Sequence, residues 1–96
     1  KGNLKIRIEN GAGINGLAAR TKEFLQELGY TILTIDTADE RTEPTILQFK
    51  KDALNTYKDL IVEDIKEKFP NIEVKDDLPE DSDYDLLMIL GTSSEF

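Results

Sequence analysis

The chain of 96 residues is long enough for one domain with a single hydrophobic core. Twenty Asp and Glu residues against twelve Lys and Arg give a net charge of −8. This charge disfavours nucleic acids and anionic lipid surfaces, because binding to both depends on cations that neutralise phosphate. Cysteine and histidine are absent, which excludes disulfides, thiol nucleophiles and imidazole-based triads. We therefore expect no enzymatic activity, no cofactor, no nucleic-acid binding and no membrane contact by this domain.

The first part of the chain has the pattern of a strand, a turn and a helix. Leu4, Ile6 and Ile8 alternate with polar residues, which predicts a strand with one buried and one solvent-exposed face. Residues 10–16 (NGAGING) predict a glycine-rich turn, and Asn15 is positioned to cap the following helix. The apolar stripe of that helix comprises Leu17, Thr21, Phe24, Leu25 and Leu28.

The middle of the chain predicts two further strands and a second helix. Gly29 is placed to end the first helix, and residues 30–35 (YTILTI) have the composition of a strand. Polar residues 36–44 indicate a loop, and residues 45–49 (TILQF) a third strand. Asp52 is a plausible N-cap for the second helix. The predicted apolar face of this helix comprises Ala53, Tyr57, Leu60, Ile61 and Ile65.

The last part of the chain contains the most apolar segment. Pro70 ends the second helix, and residues 72–74 predict a short strand. An acidic connector, residues 76–85, leads into residues 86–90 (LLMIL). This run is far shorter than the roughly 20 residues that span a bilayer. Its apolar character on both faces predicts a strand in the middle of a sheet.

These elements predict a two-layer α/β sandwich formed by residues 1–96 as one domain. Their order is β-α-β-β-α-β-β, in which each helix links two strands and favours a parallel crossover. Two helices can cover only one face of a sheet well. We therefore expect a mixed sheet with both helices packed mainly on one face and the other face open to solvent.

The glycine-rich turn also matches the G-x-G-x-x-G fingerprint of dinucleotide-binding proteins. Residues 11–16 (GAGING) lie between a strand and a helix, and Asp36 follows the next strand, where such proteins place a ribose-binding acid. Two observations oppose nucleotide binding: the chain is too short for two mononucleotide-binding halves, and Lys5, Arg7 and Glu9 make the first strand too polar for a doubly covered sheet. A tight structural turn is the favoured interpretation, with nucleotide binding as the alternative.

The acidic connector contains the opening of a calcium-loop pattern. Asp81, Asp83 and Asp85 alternate, but the glycine and glutamate that such a loop needs are replaced by Leu86 and Thr92. A solvated acidic turn explains these residues better, so no metal site is expected.

The chain resembles the LytR C-terminal domain of bacterial cell-envelope proteins. The resemblance rests on residues 6–20 (IRIENGAGINGLAAR), on the helix end at residues 28–30 (LGY) and on the closing strand at residues 85–91 (DLLMILG). The tail, residues 92–96 (TSSEF), departs from the family pattern, which has an acidic and an aromatic residue sooner after the glycine. The resemblance covers nearly the whole chain.

The resemblance implies a domain outside the cytoplasmic membrane, usually behind a membrane anchor absent from this chain. Such domains occur alone or behind a LytR-CpsA-Psr catalytic domain, which transfers anionic glycopolymers to peptidoglycan. A start at Lys1 without an initiator Met indicates a domain excised from a longer protein.

The predicted function is that of a non-catalytic accessory domain that binds peptidoglycan or a wall glycopolymer. The alternative is a protein–protein accessory domain that regulates the catalytic domain. Backbone N–H groups at a helix N-terminus favour carboxylates and phosphates, which makes the glycine-rich turn the candidate ligand site. The candidate residues are Asn10, Gly11, Gly13, Asn15 and Gly16.

Overall fold

The computed structural model describes residues 1–96, and its elements follow the predicted order. The elements are β1 (Lys5–Asn10), α1 (Leu17–Glu27), β2 (Thr31–Thr37), β3 (Thr45–Phe49), α2 (Lys51–Ile65), β4 (Ile72–Lys75) and β5 (Leu86–Leu90). Neither helix has the length and hydrophobicity needed to cross a bilayer.

The five strands form one mixed sheet in the order β2-β1-β5-β3-β4. β1 is parallel to both β2 and β5, β3 is antiparallel to β5, and β4 is parallel to β3. Each helix therefore connects two adjacent parallel strands, as predicted. The most apolar strand, β5, lies at the centre with a paired neighbour on each side, which confirms its predicted place.

Both helices pack on the same face of the sheet, and the hydrophobic core lies between the two layers. The fully buried strand residues are Ile6, Ile8, Leu47, Phe49, Leu86, Met88 and Leu90. They belong to one cluster with Leu17 and Leu25 of α1 and with Ile61 and Ile65 of α2. The strand residues that alternate with them are half-buried or exposed and form the opposite side of the sheet, here called the open face. The predicted two-layer sandwich is confirmed.

The helix starts differ from those predicted. The N-cap of α1 is Gly16 in the left-handed conformation (φ 78°), and no side chain caps this helix. The prediction for Asn15 was wrong because the left-handed Gly16 occupies the N-cap and Asn15 precedes it by one residue. The N-cap of α2 is the extended Lys50, whose N–H donates to the Asp85 carbonyl (3.0 Å). Asp52 lies instead in the first turn, where its charge still favours the helix dipole.

Two further predictions about the elements were wrong. Leu60 is 40% exposed rather than part of the buried face of α2, because that face is narrow and centred on Ile61 and Ile65. β2 starts at Thr31 and continues to Thr37, two residues beyond the predicted end. It does so because β1 extends to Asn10, which pairs with Thr37.

Candidate functional site

Asn10 holds the glycine-rich turn in shape from the end of β1. Its side-chain amide donates to the carbonyl of Ile14 (2.8 Å), and its side-chain oxygen accepts the N–H of Ala12 (3.0 Å). An asparagine that bonds its own backbone neighbours in this way stabilises a turn without help from a ligand. The side-chain amide group of Asn10 therefore already serves to stabilise the turn.

Gly11 is required by close packing of the turn, and Gly13 by its backbone conformation. The N–H of Gly11 donates to the Leu90 carbonyl (2.9 Å), and a Cβ on Gly11 would lie 2.9 Å from that same oxygen. Gly13 has a positive φ of 69°, and a Cβ there would lie 2.5 Å from the guanidinium carbon of Arg41. The exposed Arg41 side chain is flexible and can move away, and Gly13 is itself exposed, so the positive φ rather than packing requires glycine at this position. Both glycines are thus explained by the turn itself, which favours the structural turn over nucleotide binding.

A cleft of about 360 Å³ lies beside the turn, between the carboxyl ends of β1 and β2 and the start of α1. Its lining residues are Asn10, Asn15, Gly16, Ala18, Ala19, Ile35, Asp36 and Thr37. Three of the five candidate residues, Asn10, Asn15 and Gly16, thus meet here. Gly11 and Gly13 do not line the cleft.

Sequence reasoning did not select Ile35, Thr37 or the two alanines for this site. The signal that could have found the strand residues is the predicted parallel crossover from β1 to β2, since parallel strands end at the same edge of a sheet. The two alanines follow from the helix start: they occupy its first turn, where backbone N–H groups have no intrahelical acceptor.

The start of α1 supplies hydrogen-bond donors to the cleft. The N–H of Leu17 donates to the Ile14 carbonyl (3.2 Å), whereas those of Ala18 and Ala19 have no backbone or side-chain acceptor. Donors of this kind carry the partial positive charge of the helix dipole. The cleft therefore has donors on its helical side.

Asp36 is an ionised residue at the border of the cleft, and its carboxylate turns towards Arg7 on the open face. The N–H of Thr37 donates to one carboxylate oxygen (2.8 Å), and the guanidinium of Arg7 donates to the other (3.2 Å). These two interactions lower the pKa of Asp36, with the backbone N–H of Thr37 as the larger cause. Arg7 also donates to Glu9 (3.0 Å), and this hydrogen bond is the main cause that raises the pKa of Arg7. Asp36 is consequently a carboxylate at neutral pH.

The acidic residues of the chain do not assemble into a metal-binding group of three or more. Asp85, the last residue of the calcium-like pattern, instead accepts the backbone N–H of Lys5 (3.1 Å) and lies 3.6 Å from the amino group of Lys50. These contacts connect the start of β5 to the start of β1 and to the N-cap residue of α2.

Comparison with known proteins agrees with this fold and with the motif residues. A family model described as LytR cell envelope-related transcriptional attenuator matches residues 3–93. The chain belongs to this family. No curated protein matches the sequence significantly.

A solved structure has the same fold as this LytR C-terminal domain. It is the crystal structure of the soluble domain of a conserved hypothetical secreted protein from Mycobacterium marinum. The TM-score is 0.73 at 22% sequence identity, and the match covers 97% of this chain. The chain spans 62% of the length of that solved domain.

Proposed function

We propose that this LytR C-terminal domain is a non-catalytic binding module that acts outside the cytoplasmic membrane and takes the glycan of peptidoglycan into the cleft beside Gly16. The family is described as cell envelope-related, and the Mycobacterium marinum protein is described as secreted. Both support an extracytoplasmic role in a cell-envelope protein. A membrane anchor outside this chain belongs to the same proposal.

The observation that carries the proposal is the chemical make-up of the cleft. The free N–H groups of Ala18 and Ala19 can donate to the carbonyl of an acetamido group, and the side-chain amide of Asn15 and the hydroxyl of Thr37 can bond sugar hydroxyls. Ile35, which is 39% exposed, offers an apolar surface to a sugar ring. A small number of placed polar groups beside an apolar surface is typical of a site for a small organic ligand.

The ionised Asp36 favours a neutral glycan over an anionic glycopolymer. A phosphate in the cleft would gain from the helix dipole but would face Asp36 and the net charge of −8. Asp36 is also the only carboxylate among the lining residues. Hydrolysis of a glycosidic bond ordinarily requires two carboxyl groups, so the proposed role is binding without cleavage.

Co-sedimentation with isolated sacculi tests this function. The domain is mixed at about 0.15 M salt, where screening acts over about 8 Å, with sacculi that carry or lack wall glycopolymers. We expect pelleting with both preparations. Ala19→Gln places a longer side chain in the cleft, and Asn15→Ala removes a polar group. Each should weaken binding by about tenfold, the effect of about 1.4 kcal/mol.

The matched control for Asn15→Ala is Asn55→Ala on the exposed side of α2, which should leave pelleting unchanged. Pelleting only with glycopolymer-bearing sacculi would contradict the preference for neutral glycan. The absence of pelleting with either preparation would overturn the wall-binding function.

A further inference from the structure

The open face of the sheet has an apolar centre that no element of the chain covers. Cross-strand pairing places its residues in two rows. One row contains Asp36, Glu9, Ile89, Ile46 and Glu73, and the other contains Thr34, Arg7, Leu87, Gln48 and Lys75. Ile46, Leu87 and Ile89 are adjacent on the two strands β3 and β5 and are only half-buried. Because both faces of a sheet with such a centre are usually covered, this face has the character of an interaction surface.

The charges beside this apolar centre are predominantly negative. The row that contains Ile46 and Ile89 has a carboxylate at each remaining position, Asp36, Glu9 and Glu73. The loop after β2 adds Asp39 and Glu40, which line a cleft of about 340 Å³ together with Glu9 and Ile89.

The basic residues near Asp39 and Glu40 do not neutralise these two carboxylates. Lys75 lies on β4, at the opposite edge of the sheet from the loop after β2. The guanidinium of Arg7 is already bonded to Glu9 (3.0 Å), Thr34 (2.9 Å) and Asp36 (3.2 Å). The Arg41 side chain lies against Gly13 in the glycine-rich turn. Asp39 and Glu40 form no ion pair. The unpaired carboxylates of Asp39 and Glu40, at the border of the apolar centre beside Ile89, can therefore bind an approaching cation.

We propose that the open face docks an amphipathic helix of another protein, one whose apolar stripe is flanked by Lys or Arg. The stripe would cover Ile46, Leu87 and Ile89, and a basic side chain would extend over Ile89 to Asp39 and Glu40. The charge complementarity favours this occupant over a second copy of the domain, because two copies would bring like-charged borders together. A helix also suits the geometry, since sheet faces in α/β proteins are covered by helices. This surface meets the glycan cleft only at Asp36, and its apolar centre, Asp39 and Glu40 lie outside the cleft.

A synthetic helix with leucine on one face and lysine on the other is a direct probe. A length of roughly 15 residues spans about 22 Å, enough to cross a five-stranded sheet. Titration into ¹⁵N-labelled domain should shift amide signals of β3, β5 and residues 38–42. A peptide with the same leucines and glutamate in place of lysine is the control for charge and should not bind.

Variants distinguish peptide binding at this surface from general electrostatic attraction to an acidic protein. Leu87→Ser should weaken binding of the leucine–lysine peptide by about tenfold, as expected for the loss of about half of a buried leucine's contribution. The exposed Leu60→Ser on α2 is its control. Asp39→Asn with Glu40→Gln should weaken binding severalfold, whereas Asp59→Asn with Glu67→Gln, which removes equal charge from the helical layer, should have no more than a twofold effect.

Three results would overturn the proposal. The first is equal binding of the glutamate peptide, and the second is a set of shifted signals located on α1 and α2. The third is concentration-dependent dimerisation through β3 and β5 in analytical ultracentrifugation, which would assign the face to a second copy. Because the peptide mapping is done on the wild-type domain, it remains decisive even if Leu87→Ser impairs folding.

Discussion

Gly91 lies at a point of close backbone approach where β5 meets the loop before β3. Its N–H donates to the hydroxyl of the fully buried Thr45 (3.1 Å), and a Cβ at Gly91 would collide with the carbonyl oxygens of Glu43 and Pro44. The glycine that closes the family motif is thus explained by packing. Backbone atoms rather than a flexible side chain form the obstacle, so relief requires the loop to move.

Gly91→Ala should therefore lower the free energy of unfolding by about 3 kcal/mol, the upper end of ordinary overpacking. Gly2→Ala is the matched control, because a Cβ there would lie 3.7 Å from its nearest neighbour, an ordinary contact. Urea unfolding followed by circular dichroism measures both variants. Equal stability of Gly91→Ala and wild type would show that the backbone of residues 43 and 44 leaves room for a Cβ at position 91, contrary to this account.

Tyr30 connects the end of α1 to α2 through a short hydrogen bond. Its ring is buried, and its hydroxyl donates to the carboxylate of Asp64 (2.6 Å), which also lies 3.1 Å from the amino group of Lys1. The Tyr30 hydroxyl is the main cause that lowers the pKa of Asp64. Burial, followed by this same bond, raises the pKa of Tyr30.

The signs of these shifts fix the pH dependence. The lowered pKa of Asp64 gives stability that is present above its ordinary pKa and is lost as pH falls through the folded value. The raised pKa of Tyr30 gives stability that is present below pH 10 and is lost as pH rises through its folded value. Both contributions are therefore present at neutral pH.

Tyr30→Phe should cost about 1 kcal/mol at pH 7 and move the pKa of Asp64 upward. The stability loss between pH 5 and pH 3 should become shallower in the variant. Chemical denaturation across pH, with an NMR titration of the Asp64 carboxyl, measures these effects. Tyr57→Phe is the control, since the Tyr57 hydroxyl has no hydrogen-bond partner. An unchanged Asp64 pKa in Tyr30→Phe would contradict the account.

At the scale of elements, the tail after β5 packs against α1 and against the segment that follows α2. The Phe96 ring packs edge-on against Phe24 of α1 (centroids 5.6 Å apart) and lies 6.0 Å from Phe69. The amino group of Lys68 lies 4.7 Å from the centre of the Phe96 ring. Although the tail departs from the family pattern, its last residue contributes to the helical layer.

Phe96→Ala should lower the free energy of unfolding by about 1–2 kcal/mol, from lost aromatic contacts and lost apolar burial. Glu95→Ala is the matched control, because the backbone N–H of residue 95 would still donate to the Lys68 carbonyl (2.7 Å). The Phe96 variant should also increase amide exchange in α1 more than in β5. A decrease in the free energy of unfolding of less than about 0.5 kcal/mol, the range of ordinary surface substitutions, would show that the Phe96 ring contributes little to stability.

The sequence predicted the elements better than their ends. Periodicity identified both helices and all five strands, because apolar residues at fixed spacing must face one core. Periodicity did not give the helix starts. Asn15 and Asp52 have the right chemistry for caps, but the N-cap of α1 is the left-handed Gly16, and that of α2 is Lys50, which is bonded to Asp85. The exposure of Leu60 depends on how narrowly α2 contacts the sheet, which is a tertiary property.

The candidate site was predicted only in outline. The glycine-rich turn was located, but Gly11 and Gly13 turned out to contact Leu90 and Arg41, residues far away in sequence. The cleft itself depends on β1 and β2 lying side by side, a pairing that short-range patterns do not specify. The apolar centre of the open face could not be found either, because it needs the register of three strands.

At the scale of the whole molecule, charge opposes compactness. A net charge of −8 on a domain of 96 residues generates self-repulsion, which salt screens. The Tm should therefore rise by several degrees between about 10 mM and about 0.5 M NaCl, since about 1 kcal/mol corresponds to about 4–8 °C in a domain of this size. Differential scanning calorimetry measures this dependence. A Tm that falls over this range would indicate that ion pairs, rather than repulsion, dominate.

The central claim, glycan binding in the cleft, is tested most directly by an NMR titration of the ¹⁵N-labelled domain with soluble, uncharged peptidoglycan glycan fragments. The account predicts saturable shifts confined to the amides of Gly16, Ala18, Ala19 and residues 35–37. In Ala19→Gln these shifts should need about tenfold more fragment to saturate, whereas in Asn55→Ala they should be unchanged. Saturable shifts at any other surface, or no shifts at millimolar fragment, would contradict it.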